Sequence, residues 1–142
     1  MSNTTWFQPL VAPITENTFI PTVASTGTQP TITYTTREGY YKKYQINSNV
    51  SQVFVYVNIV IASRSGGTGD VTLTGLPFTA GSTLSAYTML GTYISTTGNH
   101  RALSAQLPAG STILAIYDTL SPLGISSLGA NEKFVFTFSY LV

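Results

Sequence analysis

The last ten residues, Lys133 to Val142, read KFVFTFSYLV, with Phe134, Phe136, Phe138, Tyr140 and Val142 in one register and Lys133, Val135, Thr137, Ser139 and Leu141 in the other. A repeat of two belongs to a strand, whose successive side chains point to opposite faces, so the chain closes inside the core of a sheet. The same repeat runs through Val53 to Ile61, where Val53, Val55, Val57, Ile59 and Ile61 alternate with Phe54, Tyr56, Asn58 and Val60. Both registers of that second strand are largely apolar, which calls for a cover on each face. One cover is the domain's own second sheet; the other is a long loop, the N-terminal segment or another subunit.

Turn residues interrupt the alternation at short intervals, the signature of a sandwich or barrel, and helices are nearly absent. Thr31 to Arg37 and Tyr40 to Ile46 read as two strands around Glu38-Gly39, and Asn47-Ser48-Asn49 as the turn into the next strand. Val71 to Thr74 is a short strand ended by Gly75-Leu76-Pro77-Phe78, a break that sends two apolar side chains inward. Leu84 to Ser95 and His100 to Leu107 flank the hairpin connection Thr96-Thr97-Gly98-Asn99. Pro108-Ala109-Gly110 turns the chain into Ser111 to Asp118, and a loop over 119–131 leads to the closing strand. These segments amount to about eight strands of suitable length. The expected fold is all-β, a jelly-roll-like antiparallel β-sandwich with an extended N-terminal arm.

Residues 1–30 carry Pro9, Pro13, Pro21 and Pro30, a density that forbids a helix and a central strand alike. The segment reads as an arm, 1–30, ahead of a sandwich domain, 31–142. Trp6, Phe7, Leu10, Val11 and Ile14 keep no steady period, and the sole tryptophan at a chain terminus asks for a surface that would bury it.

Composition narrows the functional classes. Six Lys or Arg against five Asp or Glu leave a net charge of +1, too little to steer a polyanion, so nucleic acid is not an expected partner. Only 8% of residues are charged, and about a quarter are Ser or Thr, so the surface relies on hydroxyls and amides. A small domain this close to neutrality associates readily, which suits a shell component. No cysteine is present, which excludes disulfides, thiolate metal sites and cysteine nucleophiles. The start MSNTTWFQPLVAP lacks the basic opening and continuous apolar segment of a signal peptide, and no stretch reaches the length of a membrane helix. Synthesis in a cytoplasm, with no membrane partner, is the expectation.

Catalytic chemistry finds little support. His100 is the single histidine and stands beside Arg101 after a hairpin tip, where a solvated residue is expected. The carboxylates Glu16, Glu38, Asp70, Asp118 and Glu132 lie in separate segments, and no GxSxG elbow is found. The loop RSGGTGD lacks the lysine of a phosphate-binding loop and precedes a strand. The run Gly39-Tyr40-Tyr41-Lys42-Lys43-Tyr44 interleaves bases and aromatics, but a strand splits it between two faces, and a strand with one solvated edge is the preferred reading. No enzyme, cofactor or metal is expected.

The run GYYKKY, the strand VFVYVNIVIAS, the loop SGGTGD and above all VTLTGLPFTA resemble a β-sandwich module of tailed-bacteriophage structural proteins, found in tail-fibre and head-fibre tips and in capsid decoration proteins. The PAGST turn and the closing FVFTFSY run look like the same module, so the resemblance covers about residues 31–142. Tyr44-Gln45-Ile46-Asn47 departs from it, because such modules often carry a glycine turn there. The resemblance implies a jelly-roll subunit of a homotrimer without catalysis of its own. With only a short arm beside the module, it points to a cement protein on the outer capsid surface, made in the host cytoplasm. In that reading Trp6, Phe7, Leu10, Val11 and Ile14 anchor the arm on neighbouring major capsid subunits, and Phe54, Tyr56 and Val60 form the trimer interface. The alternative is a receptor-binding fibre tip that recognises cell-surface glycan through Tyr87, Tyr93, His100 and Arg101. An outer-membrane barrel is disfavoured, since both faces of the long strand are apolar.

Overall fold

The computed structural model describes residues 15–82, 86–87, 91–94, 100–118 and 121–142. Eleven strands occur in this part: β1 (Thr15–Phe19), β2 (Thr22–Ser25), β3 (Thr31–Asn47), β4 (Val50–Ser65), β5 (Val71–Thr74), β6 (Ala86–Tyr87), β7 (Gly91–Ile94), β8 (His100–Leu107), β9 (Leu114–Asp118), β10 (Ser121–Pro122) and β11 (Lys133–Leu141). The one helical element among the described residues is a 3-10 turn at Ile125–Ser127. Every strand pairing is antiparallel, and the hydrogen-bonded order is β1-β3-β4-β11-β7-β8-β9-β5-β2, with β10 on β9 and β6 on β8. The strands form two antiparallel sheets packed against each other, an all-β sandwich, as the alternation requires.

The core follows the period of two. From β4 come Val53, Val55, Val57, Ile59 and Ile61, and from β11 Phe134, Phe136, Phe138 and Tyr140, all buried. They join one continuous cluster with Leu103, Ala105 and Leu107 of β8, Leu114 and Ile116 of β9, and Val71 and Leu73 of β5. The Phe134 and Phe136 rings stack 6.3 Å apart, and Phe138 and Tyr140 lie 6.0 Å apart. Leu76 is buried after the break at Gly75, and Phe78 packs half-buried against the core. The Phe78 carbonyl accepts the Tyr140 hydroxyl at 2.9 Å, and its ring meets the edge of Tyr41 at 5.1 Å. The Lys43 ammonium sits 4.6 Å from the same ring centroid, a cation–π contact. The Gly75-Leu76-Pro77-Phe78 break is therefore a seam between the core and β3. Burial of the Tyr140 phenol pushes its pKa up to about 12, since the phenolate would lose its hydration.

Three expectations change. The two strands expected around Glu38-Gly39 are one strand of 17 residues, because Glu38 and Gly39 stay in the ladder opposite Asn58 and Val57. The register with β4 shifts instead between Thr33 and Thr36 and again between Gln45 and Asn47. The loop expected over 119–131 contains β10 and the 3-10 turn. The boundary expected at residue 30 does not mark the edge of the sheets: β1 pairs with β3 from Thr15↔Lys43 to Phe19↔Gly39, and β2 pairs with β5. Pro21 is tolerated because it falls in the two-residue link between those strands.

That link has a topological consequence. β1 and β2 stand at opposite ends of the hydrogen-bonded order, yet only Ile20 and Pro21 separate them. The chain therefore crosses from one sheet to the other at this corner, and glycines allow the close approach. A methyl on Gly39 would stand 2.6 Å from the Phe19 ring, and one on Gly75, held at φ 85°, would stand 2.5 Å from the Ile20 carbonyl oxygen. The turn into β4 is closed by Asn47, whose Oδ1 accepts the N–H of Asn49 at 2.9 Å and of Val50 at 3.0 Å.

Candidate interaction surface

The antiparallel register places one side-chain set of β3, β4 and β11 on the face away from the core. Tyr40 lies opposite Tyr56 and Lys42 opposite Phe54, while Thr137 and Ser139 flank the same two positions from β11. Their neighbours one residue along are the buried Val53, Val55 and Val57, so the exposure of this set follows from parity alone. Phe54 is 47% exposed, Tyr56 41% and Tyr40 37%, large values for aromatic groups within long strands, and Leu141 at the end of β11 is 37% exposed. Val60, on the same face, is half-buried. The second cover that the β4 sequence calls for is not supplied by the described residues.

Tyr40, Lys42, Phe54, Val55, Tyr56 and Thr137 line a shallow apolar depression of about 140 Å³. Ligand pockets occupy roughly 300–1,000 Å³, so this one has room for a side chain of a partner and not for a cofactor. The Tyr44 ring meets Phe54 edge-on at 5.6 Å, which holds that side chain upright on the face.

Charges lie along the rim. The Tyr40 hydroxyl donates to Glu16 Oε2 at 2.9 Å, and Lys42 Nζ stands 3.4 Å from the same oxygen. The hydroxyl bond, and after it the Lys42 charge, hold the Glu16 carboxyl below the usual range. The hydrogen bond to Glu16 pushes the Tyr40 phenol up, and the phenol oxygen, with Glu16, pushes the Lys42 ammonium up. Further along, Asn58 Nδ2 donates to Glu38 Oε2 at 3.3 Å, while Asn58 Oδ1 is shielded and finds no donor among the described residues. An apolar centre with mixed charges at its margin has the anatomy of a protein interface.

The other expected residues fall elsewhere. Trp6, Phe7, Leu10, Val11 and Ile14 lie outside the described residues. Of the glycan set, Tyr93 stands opposite Arg101 in the β7–β8 ladder, next to His100, whereas Tyr87 stands opposite Gln106 towards the far end of β8. Three of the four backbone positions are thus brought together, and the fourth is about five residues, on the order of 17 Å, away. Arg101 donates to Asp118 Oδ2 at 2.6 Å. The side chains of Tyr87, Tyr93 and His100 lie outside the described part of the molecule.

Among the described residues no three His, Cys, Asp or Glu side chains gather to hold a metal ion. The carboxylates have local partners: Glu16 with Lys42 and Tyr40, Glu38 with Asn58, Asp118 with Arg101, and Glu132 with the Gly129 N–H at 2.6 Å. Asp70 lies in the isolated bridge to Gly124.

Sequence reading named Phe54, Tyr56 and Val60 and missed Tyr40, Lys42, Thr137 and Leu141 as members of one face. The turn alone does not give this face: Asn47 stands opposite Val50, which would set Tyr40 against Val57, and the shift between Gln45 and Asn47 moves the register by one residue, so that Tyr40 faces Tyr56 and Lys42 faces Phe54. No known protein-family model, curated protein or solved structure matches this chain.

Proposed function

We propose that the protein is a structural component of a virion, a capsid decoration protein that trimerises on the outer capsid surface and grips neighbouring major capsid subunits. The observation that carries this reading is the apolar outer face of β3, β4 and β11, where Phe54, Tyr56 and Tyr40 stand exposed on long rigid strands. Contiguous aromatic exposure on a rigid sheet is a liability for a free monomer and an interface for an assembled one. The shallow depression beside Tyr56 takes up a knob from the next subunit, and the near-zero net charge puts up no repulsion between copies. The resemblance of residues 31–142 to phage sandwich modules supplies the virion context.

The mechanism is mass action with linked contacts. Each N-terminal segment, through Trp6, Phe7, Leu10, Val11 and Ile14, holds a different capsid subunit. Three weak contacts joined through one trimer raise the effective affinity by orders of magnitude without any new contact. Binding to the assembled shell and not to its dissociated subunits then stabilises the shell.

The test is the solution mass of the full chain by light scattering across a dilution series. Three times 15.2 kDa, persisting on dilution, is the expected result, and a monomer at every concentration refutes it. Replacing Trp6 and Phe7 by Asp in the full chain should leave that mass unchanged and abolish decoration of capsids. Decoration that survives both substitutions refutes the anchoring role.

A further inference from the structure

The two ends of the hydrogen-bonded order are treated differently by the rest of the chain. At the β2 end, the Val23 N–H donates to the Tyr34 hydroxyl at 3.1 Å, and that hydroxyl lies 3.5 Å from the Val23 carbonyl. Two residues on, the Ser25 N–H donates to Gln29 Oε1 at 3.2 Å, and Gln29 Nε2 donates to the Ser25 carbonyl at 2.8 Å. In an antiparallel pair alternate residues turn both backbone groups away from the partner strand. Val23 and Ser25 are the outward pair of β2, and side chains occupy both.

At the β1 end the described residues supply only a partial plug. The Thr18 N–H is bonded to Asn17 Oδ1 at 2.8 Å and not to β3, which identifies Thr18, and by alternation Glu16, as the outward residues of β1. No other hydrogen bond from the described residues reaches their outward backbone groups. Four of the five residues of this strand are exposed, and it contains no proline. Its one charge, Glu16, is drawn onto the outer face by Tyr40 and Lys42 and so does not guard the edge. Native sheets blunt free edges with charges, prolines or covers; the described residues plug both outward residues of the β2 edge and, at the β1 edge, only the Thr18 N–H.

We infer that the β1 edge pairs with the β1 edge of a second copy of this chain, antiparallel and about a two-fold axis at Asn17. The occupant follows from the register. With Asn17 opposite Asn17 of the partner subunit, Glu16 faces Thr18 of the partner subunit and Thr18 faces the partner's Glu16. Those are the outward residues on both sides, so each pair exchanges two N–H···O=C bonds, with the Thr18 N–H giving up Asn17 Oδ1 for the partner backbone, and all the outward groups are used. No like charges stand opposite each other, and an edge that is its own complement closes after two copies and does not propagate. The pairing is independent of the outer face: with that face carrying a charge, as in Tyr56→Glu, it makes a dimer of the chain.

Sedimentation of the full-length Tyr56→Glu chain over rising concentration, up to about a millimolar, tests it. The expected result is a concentration-dependent doubling of mass, with the Glu16 and Thr18 amides protected from hydrogen exchange in the larger species. Thr18→Pro removes an outward N–H that the β3 ladder does not use, and Asn17→Lys sets two ammonium groups face to face while keeping every backbone group. Both should raise the dissociation constant at least tenfold and leave the smaller species folded. Should Thr18→Pro fail to fold, Asn17→Lys alone decides. Doubling that persists in Asn17→Lys, or a mass that never doubles, overturns the inference.

Discussion

The two faces of β4 carry similar residues and meet opposite fates. Val53, Val55, Val57, Ile59 and Ile61 are closed off by the second sheet, while Phe54 and Tyr56, one residue away in each case, stand about half open. Hydrophobicity alone does not separate the two sets. The side with a sheet opposite it becomes a core, in which a lost methylene costs both transfer energy and a cavity. The side without one becomes a surface where the same groups contribute to association and hardly to folding. One strand thus divides its apolar content between holding the fold and offering an interface.

The sharpest way to break this contrast is to cut into each face and compare. Phe136→Ala empties a site on the inner face between β4 and β7 and should cost about 3–5 kcal/mol, read as a large fall in the denaturation midpoint. A cost near zero would mean that the inner face is not the core.

Tyr140 tests the same face by pH. Its pKa is raised to about 12 in the folded chain, against about 10 when unfolded. The unfolded state therefore loses its proton first, and the stabilising term is complete below pH 10 and lost as pH rises towards 12. The loss is about 2–3 kcal/mol by linkage. Denaturation midpoints between pH 9 and 12 should fall more steeply in the native chain than in Tyr140→Phe, and equal slopes would disprove the burial of that phenol.

Gly39→Ala sharpens the contrast at its margin, since the added methyl meets the Phe19 ring at 2.6 Å. Shifting that ring should loosen β1 at a cost of about 1–3 kcal/mol, seen as faster hydrogen exchange in residues 15–19. Unchanged exchange would show that Phe19 yields freely. Smallest in its effect on folding is Tyr56→Glu, which should move stability by less than about 0.5 kcal/mol. In the proposed trimer it should nevertheless dissociate the assembly, measured as a fall in solution mass. A variant that melts early, with its mass unchanged, would place Tyr56 in the fold and not at an interface.

How much of this was legible depends on the range of the interaction. The inward sets of β4 and β11 could be read off because parity is local, and the Asn47 turn because its side chain bonds Asn49 and Val50, two and three residues on. Continuity of β3 through Glu38-Gly39 was hidden, because glycine there reads as a turn until the Phe19 ring that fills its space is known. The place of residues 15–25 was hidden for a related reason: their partners, β3 and β5, lie about 25 to 50 residues further along the chain.

Residue order alone was therefore enough for the all-β class, for the residues that face inward on the long strands, and for the need of a second cover over Phe54 and Tyr56. These depend on alternation and turn chemistry, which act between neighbours in the chain. Only the folded molecule decided that β1 and β2 end up at opposite ends of one hydrogen-bonded order, that Tyr34 and Gln29 plug the β2 edge, and that Tyr40 and Lys42 join Phe54 and Tyr56 on one face. Each of these depends on which distant strands pair. Pairing is settled by the simultaneous burial of all the inward faces, which no short segment specifies by itself.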